Sequence, residues 1–185
     1  MKIDFVRHGK TEYNVAGRVN GQTMDDPLIE EGIEQAQKTK LEISEDYTII
    51  YSSDLLRAKQ TAEILNQKLN IPIKYDVRLR ERSHGSLTGK TWDEMGPNQK
   101  EIDKNQKYDY RPYGGECVED VRSRVFSFVE EIKKNNRNPK ILVVTHGGII
   151  RLLYHTLHGQ IPEKIYNASV HEFEFPNIDY NEKFF

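Results

Sequence analysis

The continuous apolar run Ile141–Val144 is the feature that most limits the fold of this chain. A strand that is apolar at every position has to be covered on both faces, which is typical of a central strand in a parallel sheet. Gly147-Gly148 and an apolar helical segment from Ile149 to His158 follow it, so a buried strand passes through a tight turn into a helix. We therefore predict an α/β fold with a mostly parallel central sheet.

The remaining sequence repeats this alternation of strands and helices. Further strands are predicted at residues 3–6, 47–51, 73–77 and 170–175, and further helices from residue 30, at 55–69 and at 118–132. In the helix from residue 30, we expect Ile33, Ala36 and Leu41 to form a thin apolar stripe. The segment Ser52–Asp54 offers side chains that can cap the helix beginning at Leu55. These elements predict a three-layer α/β/α sandwich.

Length and composition bound the class of protein. The chain has 185 residues and contains no internal repeat or linker, so we predict a single domain over residues 1–185. Its net charge of -2 predicts no general attraction to nucleic acid. The single cysteine, Cys117, cannot close an intramolecular disulfide and is expected to be half-buried. With no signal segment and no membrane-spanning stretch in view, we expect a cytoplasmic protein without membrane partners.

Two predicted strands end in the same kind of sequence. The strand at 3–6 runs into Arg7-His8-Gly9, and the strand at 141–144 runs into Thr145-His146-Gly147. Ligands of open parallel sheets bind beyond the carboxyl ends of the strands. The strand at 47–51 leads to a helix with an arginine in its first turn, and the strand at 73–77 leads to a glutamate. The side chains predicted to meet at this edge are Arg7, His8, Arg57, Glu81 and His146.

This set of residue types fits phosphate chemistry. Arginine forks match phosphate oxygens and keep their charge, a neutral histidine can attack phosphorus, and a carboxylic acid can protonate the departing oxygen. Each residue taken alone also has a plainer interpretation: Arg57 as a solvated helix charge and Glu81 as a surface carboxylate. The remaining histidines, His84 among them, are interpreted as loop or structural residues. No glycine-rich P-loop is present.

Several blocks of residues lie in a fixed order along nearly the whole chain. In order they are Phe5–Asn14, Asp26–Leu28 with Gly32 and Gln35-Ala36, Ser52–Ala58 with Gln60–Ala62, Leu79–Glu81 with Gly85 and Gly89, Gly114–Glu116, and Thr145–Gly148. Together these blocks resemble the histidine phosphatase superfamily, the group that includes the cofactor-dependent phosphoglycerate mutases. The resemblance implies a phosphoglycerate mutase-like fold.

The resemblance also implies a role for each matched residue. His8 would be the nucleophile that becomes phosphohistidine, and Glu81 would be the general acid and then the base that activates water. The groups that bind phosphoryl oxygens and stabilise the transition state would be Arg7, Arg57 and His146. Further phosphate- or substrate-binding positions would be Asn14, Asn20, Gly21 and Gly147. No metal and no other cofactor is implied, and the partner would be a small phosphorylated metabolite bound by a monomer or homodimer.

The implied mechanism requires particular protonation states. His8 must be neutral, with its other ring nitrogen held as N–H by a fixed acceptor. Glu81 must be protonated to donate, which burial beside a phosphate dianion favours. We therefore expect a bell-shaped rate profile that peaks from mildly acidic to neutral pH. The sequence departs from the usual pattern without losing a proposed catalytic group, at Lys10, Ser83-His84, Thr88 and Cys117.

Mutase activity is the nearest alternative to hydrolysis. A mutase must hold a second charged group of its substrate, and in this family an inserted basic segment does so. Here the segment 90–113 is short, is expected to be irregular or weakly helical, and balances its basic residues with acidic ones. This favours a phosphatase, although Glu81-Arg82 resembles the mutase loop. The aromatic residues that either line a cap over the substrate or pack under this segment are Trp92, Tyr108, Tyr110 and Tyr113.

Two other classes remain as alternatives. The chain could bind a phosphorylated ligand or protein phosphohistidine as a regulatory module, although all five proposed catalytic groups are present. It could also be a metallohydrolase with His8, His146 and Glu81 as ligands. Arg7 and Arg57 weigh against that alternative, because their charges repel a cation.

Overall fold

A five-stranded sheet forms the centre of the structure. The computed structural model describes residues 1–135, 140–176 and 180. Within these residues the strands are β1 (Lys2–Arg7), β2 (Ile49–Ser52), β3 (Ile73–Tyr75), β4 (Ile141–Thr145) and β5 (Val170–Glu174). Their order across the sheet is β3-β2-β4-β1-β5. The first four are parallel, and β5 pairs antiparallel with β1, which confirms the mostly parallel sheet.

Helices cover both faces of this sheet. They are α1 (Glu12–Val15), α2 (Glu30–Glu42), α3 (Leu56–Leu69), α4 (Gln99–Lys104), α5 (Val118–Asn135) and α6 (Gly147–His158). Ala58, Ala62 and Leu65 of α3 pack on one face of the sheet, with α2 lying against α3. The apolar sides of α5 and α6 pack on the other face. The predicted three-layer α/β/α sandwich is therefore confirmed.

Strand β4 lies at the middle of the sheet and is buried at every residue. Ile141 and Val143 point into the core beneath α5 and α6, and Leu142 and Val144 point into the core beneath α3. Successive side chains of a strand face opposite sides. The two-sided cover therefore explains why the sequence of β4 is apolar at every position rather than at alternate ones.

The predicted buried face of α2 is wrong in part. Ile33 and Leu41 are 42% and 75% exposed, and the helix instead buries Gly32, Ala36 and Thr39. A Cβ atom at position 32 would lie 2.1 Å from the carbonyl oxygen of Lys10. Close backbone approach by small residues, rather than burial of large apolar ones, therefore determines how α2 packs.

Some predicted element ends also differ from the structure. The N-terminal residue flanking α3 is Leu55, which makes no side-chain cap, so the predicted capping by Ser52–Asp54 is wrong. Asp54 instead pairs with Arg80 through two hydrogen bonds. Strand β2 begins at Ile49, two residues later than predicted, and the strand predicted at 73–77 ends at Tyr75.

The segment 90–113 contains only the short helix α4 and two 3-10 turns, as the sequence predicted. Tyr108 and Tyr110 are buried and stacked with their ring centroids 5.2 Å apart, so these two rings pack under the segment. Trp92 lines the main pocket, whereas Tyr113 is exposed. Cys117 is fully buried rather than half-buried. Within residues 1–135, 140–176 and 180, no helix has the length and apolar character needed to cross a bilayer.

A pair of leucine substitutions tests this packing. Leu65→Ala removes a fully buried side chain of α3 and is expected to lower the free energy of unfolding by about 2–5 kcal/mol. Leu41→Ala, on the exposed side of α2, is expected to change it by less than about 0.5 kcal/mol. Urea denaturation of both variants measures the difference. A large loss from Leu41→Ala would contradict the exposed placement of that side chain.

Candidate active site

The pairing of β1 with β4 brings His8 and His146 together. In the ladder Arg7 is opposite Thr145, and the backbone N–H of His8 donates to the carbonyl of Thr145 at 2.9 Å. The two imidazole rings that follow lie with their centroids 5.1 Å apart. The structure therefore places the residues that follow these two strand ends side by side.

His8 is buried and held in one orientation. Its Nδ1 lies 2.6 Å from the carbonyl oxygen of Gly9. Because a carbonyl can only accept, Nδ1 carries the proton and Nε2 has the free lone pair. Burial places the pKa of His8 well below its ordinary value, and the charges of Arg57 and Arg7 lower it further. The imidazole is therefore neutral, as a nucleophile requires.

His146 is fully buried beside His8 and does not line the pocket. Its Nε2 contacts the hydroxyl of Ser53 at 2.8 Å, and its Nδ1 is buried with no hydrogen-bond partner among the described residues. The Ser53 oxygen also accepts from the N–H of Leu55. Because a hydroxyl has one O–H and two acceptor lone pairs, Ser53 can serve either neutral tautomer of His146.

Arg7 and Arg57 bring buried positive charge to the same place. Arg57 is 0% exposed; its Nη2 donates to the carbonyl of Gly21 at 2.8 Å, and its Nη1 lies 3.6 Å from Asp26. Nη1 of Arg7 donates to the carbonyl of Ile165 at 2.6 Å. Burial is the largest influence on the pKa of Arg7, which is lowered to about 10. The Nε atoms of both arginines are buried without a partner in the described chain.

The four residues predicted to bind phosphate or substrate all line the pocket. The amide oxygen of Asn14 accepts from Asn167 at 3.0 Å, which leaves its NH₂ group for a ligand. Asn20 donates to Asp26 at 2.6 Å, and the carbonyl of Gly21 holds Arg57, so these two residues support the arginine. Gly147 begins α6, where backbone N–H groups are free of intrahelical partners.

Glu81 is fixed at the start of α6. Its Oε2 accepts from the N–H of Gly148 and its Oε1 from the N–H of Arg82, each at 2.9 Å. A Cβ atom at position 148 would lie 2.2 Å from Oε1 of Glu81 and 1.6 Å from Nη1 of Arg82, so a side chain here would have to displace the ends of both residues. Burial raises the pKa of Glu81, but the Arg82 charge and the two N–H groups outweigh it. The pKa is therefore below its ordinary value, and Glu81 is ionised in the free site.

Arg82 connects this carboxylate to the segment 90–113. Its guanidinium forms a fork on the buried carboxylate of Asp103 in α4, while its Nη1 lies 3.5 Å from Glu81. The hydroxyl of Tyr110 also donates to Asp103, at 2.7 Å. The sequence alone indicated Glu81-Arg82 as a pair but gave no signal for Asp103, because the fork spans 21 residues.

Arg124 and Glu116 hold the loop that carries Glu81. Arg124, in α5, donates to the carbonyls of Arg78, Arg80 and Glu81 at 2.6, 2.8 and 3.1 Å. It also pairs with Glu116 at 2.8 Å, whose other oxygen accepts from the N–H of Ser83 at 2.7 Å. Sequence reasoning matched Glu116 to a family block without assigning it this task, and it missed Arg124.

The pocket has a volume of about 640 Å³. Of the predicted residues it is lined by Arg7, His8, Asn14, Asn20, Gly21, Arg57, Glu81 and Gly147. Pocket residues that the sequence did not single out as site residues include His84, which is 2% exposed, and Arg151, Lys164 and Asn167. No three His, Cys, Asp or Glu side chains in the described ranges are grouped so that they could hold a metal ion.

Fold and pocket together place a buried, neutral histidine and two arginines at the carboxyl edge of a parallel sheet. The profile of the histidine phosphatase superfamily (branch 1) matches residues 3–184. The chain belongs to this superfamily.

Named relatives agree with that assignment. A metal-independent phosphoserine phosphatase of Arabidopsis thaliana is 36% identical over 177 residues, which cover 91% of this chain and 74% of the relative. The phosphoglycerate mutase-like protein 4 of the same plant is 34% identical and covers 93% of this chain and 78% of the relative. The structure of a mycobacterial glucosyl-3-phosphoglycerate phosphatase is 28% identical, with a TM-score of 0.82, and covers 92% of this chain and 90% of that one. Phosphatase relatives support a phosphatase activity.

The loop contacts of Arg124 can be tested by substitution. Arg124→Lys keeps the charge but cannot form the fork, so Glu81 should lose its fixed position. We expect kcat on a phosphate ester to fall by about tenfold or more, while the denaturation midpoint changes little. Arg122→Lys, two residues away on α5, is the matched control. Equal activities of the two variants would show that the Arg124 contacts do not position Glu81.

Proposed function

We propose that this protein is a metal-independent phosphatase of a single domain, residues 1–185, that hydrolyses a small phosphate monoester through phosphohistidine at His8. Glu81 is the general acid and base in this proposal. Arg7 and Arg57 stabilise the transferring phosphoryl group, and Asn14 and the backbone at Gly147 contribute further donors. His146 packs beside His8 without lining the pocket of the free protein, and it joins these donors once the phosphoryl group is bound. The relatives that are named as phosphatases support hydrolysis as the class of reaction.

One observation carries the proposal: three buried nitrogen atoms around His8 have no partner in the described residues. They are Nε of Arg7, Nε of Arg57 and Nδ1 of His146. Unpaired buried N–H groups cost free energy, and two belong to arginines that remain charged. A phosphoryl group beside His8 would provide acceptor oxygens for such donors and negative charge for the arginines.

The first step transfers the phosphoryl group to the protein. Nε2 of His8 attacks phosphorus, the bond between phosphorus and the ester oxygen breaks, and Glu81 gives its proton to the departing alkoxide. Glu81 is ionised in the free site, so it must gain that proton when substrate binds. A phosphate dianion held by Arg7 and Arg57 raises the pKa of the neighbouring carboxyl and thereby supplies this change.

The second step releases inorganic phosphate, and the site returns to its starting state when Glu81 then gives the proton it has taken from water to the solvent. The ionised Glu81 takes a proton from water, the water oxygen attacks phosphorus, and the bond between phosphorus and Nε2 of His8 breaks. The N–H groups of Gly148 and Arg82 stabilise the carboxylate in this role. The carbonyl of Gly9 keeps the proton on Nδ1 throughout, so Nε2 is ready for another cycle.

Trapping of the intermediate tests the nucleophile. Glu81→Gln should lower kcat by about 10²- to 10⁴-fold and slow both steps. Incubation with a radiolabelled ester should label the wild type transiently, with an acid-labile, alkali-stable bond. His8→Ala should show neither label nor turnover, and chelator should leave the wild-type rate unchanged. Turnover by His8→Ala, or lasting loss of activity after chelation, contradicts the proposal.

The pH dependence follows from the same groups. Because the pKa of His8 is far below its ordinary value, the neutral imidazole persists into acidic solution and the acid limb should lie below about pH 6.5. The alkaline limb should follow loss of the Glu81 proton from the substrate complex. We expect kcat to peak from mildly acidic to neutral pH, measured in buffers of constant ionic strength. A rate that still rises well into the alkaline range would exclude Glu81 as the acid.

Mutase activity is distinguished in the same assays. The relative named a phosphoglycerate mutase-like protein favours testing it. Phosphoglycerates are incubated with and without 2,3-bisphosphoglycerate, and isomer and free phosphate are measured together. Phosphate release that exceeds isomerisation supports the phosphatase proposal, and the opposite ratio supports a mutase.

A further inference from the structure

The pocket extends past His8 along α6 and the loop that follows this helix. Arg151 of α6 and Lys164 of the loop line this part of the wall. Neither residue has a part in the reaction described above. A volume of about 640 Å³ is far larger than a phosphoryl group alone would fill, so this wall faces the remainder of the substrate.

The cations of the pocket differ in whether a carboxylate neutralises them. The ion pairs within the pocket wall and its surroundings are Lys10–Glu31, Arg18–Glu94, Arg57–Asp26 and Arg82–Asp103. Three other cations of the pocket have no carboxylate within ion-pair distance in residues 1–135 and 140–176. They are Arg7, Arg151 and Lys164. Arg7 is already assigned to the reacting phosphoryl group, which leaves Arg151 and Lys164.

Arg151 lies on the same helix face as the residues that meet the phosphoryl group. It follows Gly147 by four positions and Gly148 by three, so all three share one side of α6. The rise of 1.5 Å per residue places Arg151 about 6 Å further along the axis. Its guanidinium donates only weakly, to the carbonyls of Pro162 at 3.3 Å and Glu163 at 3.5 Å.

The charges around Arg151 are of both signs. Burial lowers its pKa and the charge of Arg82 lowers it further, whereas Asp103 and Glu81 raise it. The pKa of Arg7 is in turn lowered by burial and then, among other charges, by Arg151. These cations therefore repel one another, and an anion between them would relieve both the repulsion and the loss of hydration.

Lys164 lies within a loop that these arginines hold. Arg7 donates to the carbonyl of Ile165 at 2.6 Å, and Arg151 donates to the carbonyl of Glu163, so both neighbours of Lys164 are fixed. Its Nζ lies 4.6 Å from the ring centroid of Tyr166. Lys164 is itself exposed, so its ammonium can reach a ligand in the pocket that Arg151 also lines.

We propose that Arg151 and Lys164 bind a second anionic group of the substrate, so that the substrate is a phosphate monoester whose alcohol carries a carboxylate or another phosphate. This inference rests on the proposed phosphatase function and specifies its substrate class.

Three matched esters test this proposal. 3-Phosphoglycerate carries a carboxylate where glycerol 1-phosphate carries a neutral hydroxymethyl group, and glycerol 1,3-bisphosphate carries a second phosphate. Wild-type protein should hydrolyse at least one of the two doubly anionic esters with a kcat/KM about tenfold or more above that of glycerol 1-phosphate. The preferred ester identifies the chemistry of the second anion.

Variants locate the site of this preference. Arg151→Gln and Lys164→Gln should each raise KM for the preferred ester by about five- to tenfold, with kcat/KM on glycerol 1-phosphate changed less than about twofold. Arg151→Lys should recover part of the affinity that Arg151→Gln loses, because lysine keeps the positive charge. A purely structural role for the contacts of Arg151 with the carbonyls of Pro162 and Glu163 would not predict this recovery. Lys38→Gln, on the exposed side of α2, controls for net charge.

The outcomes separate this inference from the proposed function. Hydrolysis of all three esters at similar kcat/KM, or an equal loss on every ester in Arg151→Gln, overturns the second-anion site and leaves the phosphatase intact. Selective loss in Lys10→Gln instead would place the second anion at Lys10, which also lines the pocket, and would also overturn it. Absence of turnover on every ester, under conditions where the protein remains folded, overturns both proposals together.

Discussion

Parallel backbone pairing between β1 and β4 is the constraint on which the site depends. The ladder sets Arg7 opposite Thr145, so the residues that follow the two strands emerge side by side from the middle of the sheet. These residues are far apart in sequence and carry no mutual attraction, since both imidazoles are neutral. Their proximity is produced by hydrogen bonds of the backbone and by the two cores that cover β4. A slip of one residue in that ladder would turn one of the two side chains to the other face.

Charge is distributed around that pair in two ways. Arg7 is held by a carbonyl oxygen, which orients its guanidinium without cancelling the charge. Arg57 is held by the carbonyl of Gly21 and also lies 3.6 Å from Asp26. Arg82 is held by a carboxylate on the other side, so its effect on Glu81 is tempered by Asp103. The first arrangement keeps positive charge available for a ligand. The second keeps a carboxylate ionised although it is buried, and makes its protonation sensitive to what binds next to it.

The sequence predicted most of the fold because the relevant signals are local. The apolar run of β4 and the helical spacing in α3 and α5 are each contained in a short segment, and the positions of His8, His146 and Arg57 follow from where these segments end. Glu81 lies in a run of charged residues, so only the family resemblance distinguished it. Local patterns failed where packing depends on small residues, as in α2, whose apolar Ile33 and Leu41 face outward.

The unpredicted parts of the site are interactions between distant segments. The fork from Arg82 to Asp103 and the contacts of Arg124 with three carbonyls join residues whose sequence neighbourhoods are ordinary surface-like stretches. The sequence predicts His84 to be a loop or structural histidine. In the structure it is buried, with its ring centroid 4.7 Å from that of Tyr110. Ion pairs between residues that are far apart in sequence depend on how the whole chain folds. They therefore cannot be predicted from local sequence patterns.

Gly148 shows that empty volume can be as necessary to a site as any functional group. The space that a methyl group would occupy is already filled by the carboxylate of Glu81 and the guanidinium of Arg82. Substitution by alanine would leave every proposed catalytic residue in the sequence while forcing the carboxylate of Glu81 and the guanidinium of Arg82 to move. A residue that contributes no functional group therefore helps to fix the position of the proposed acid.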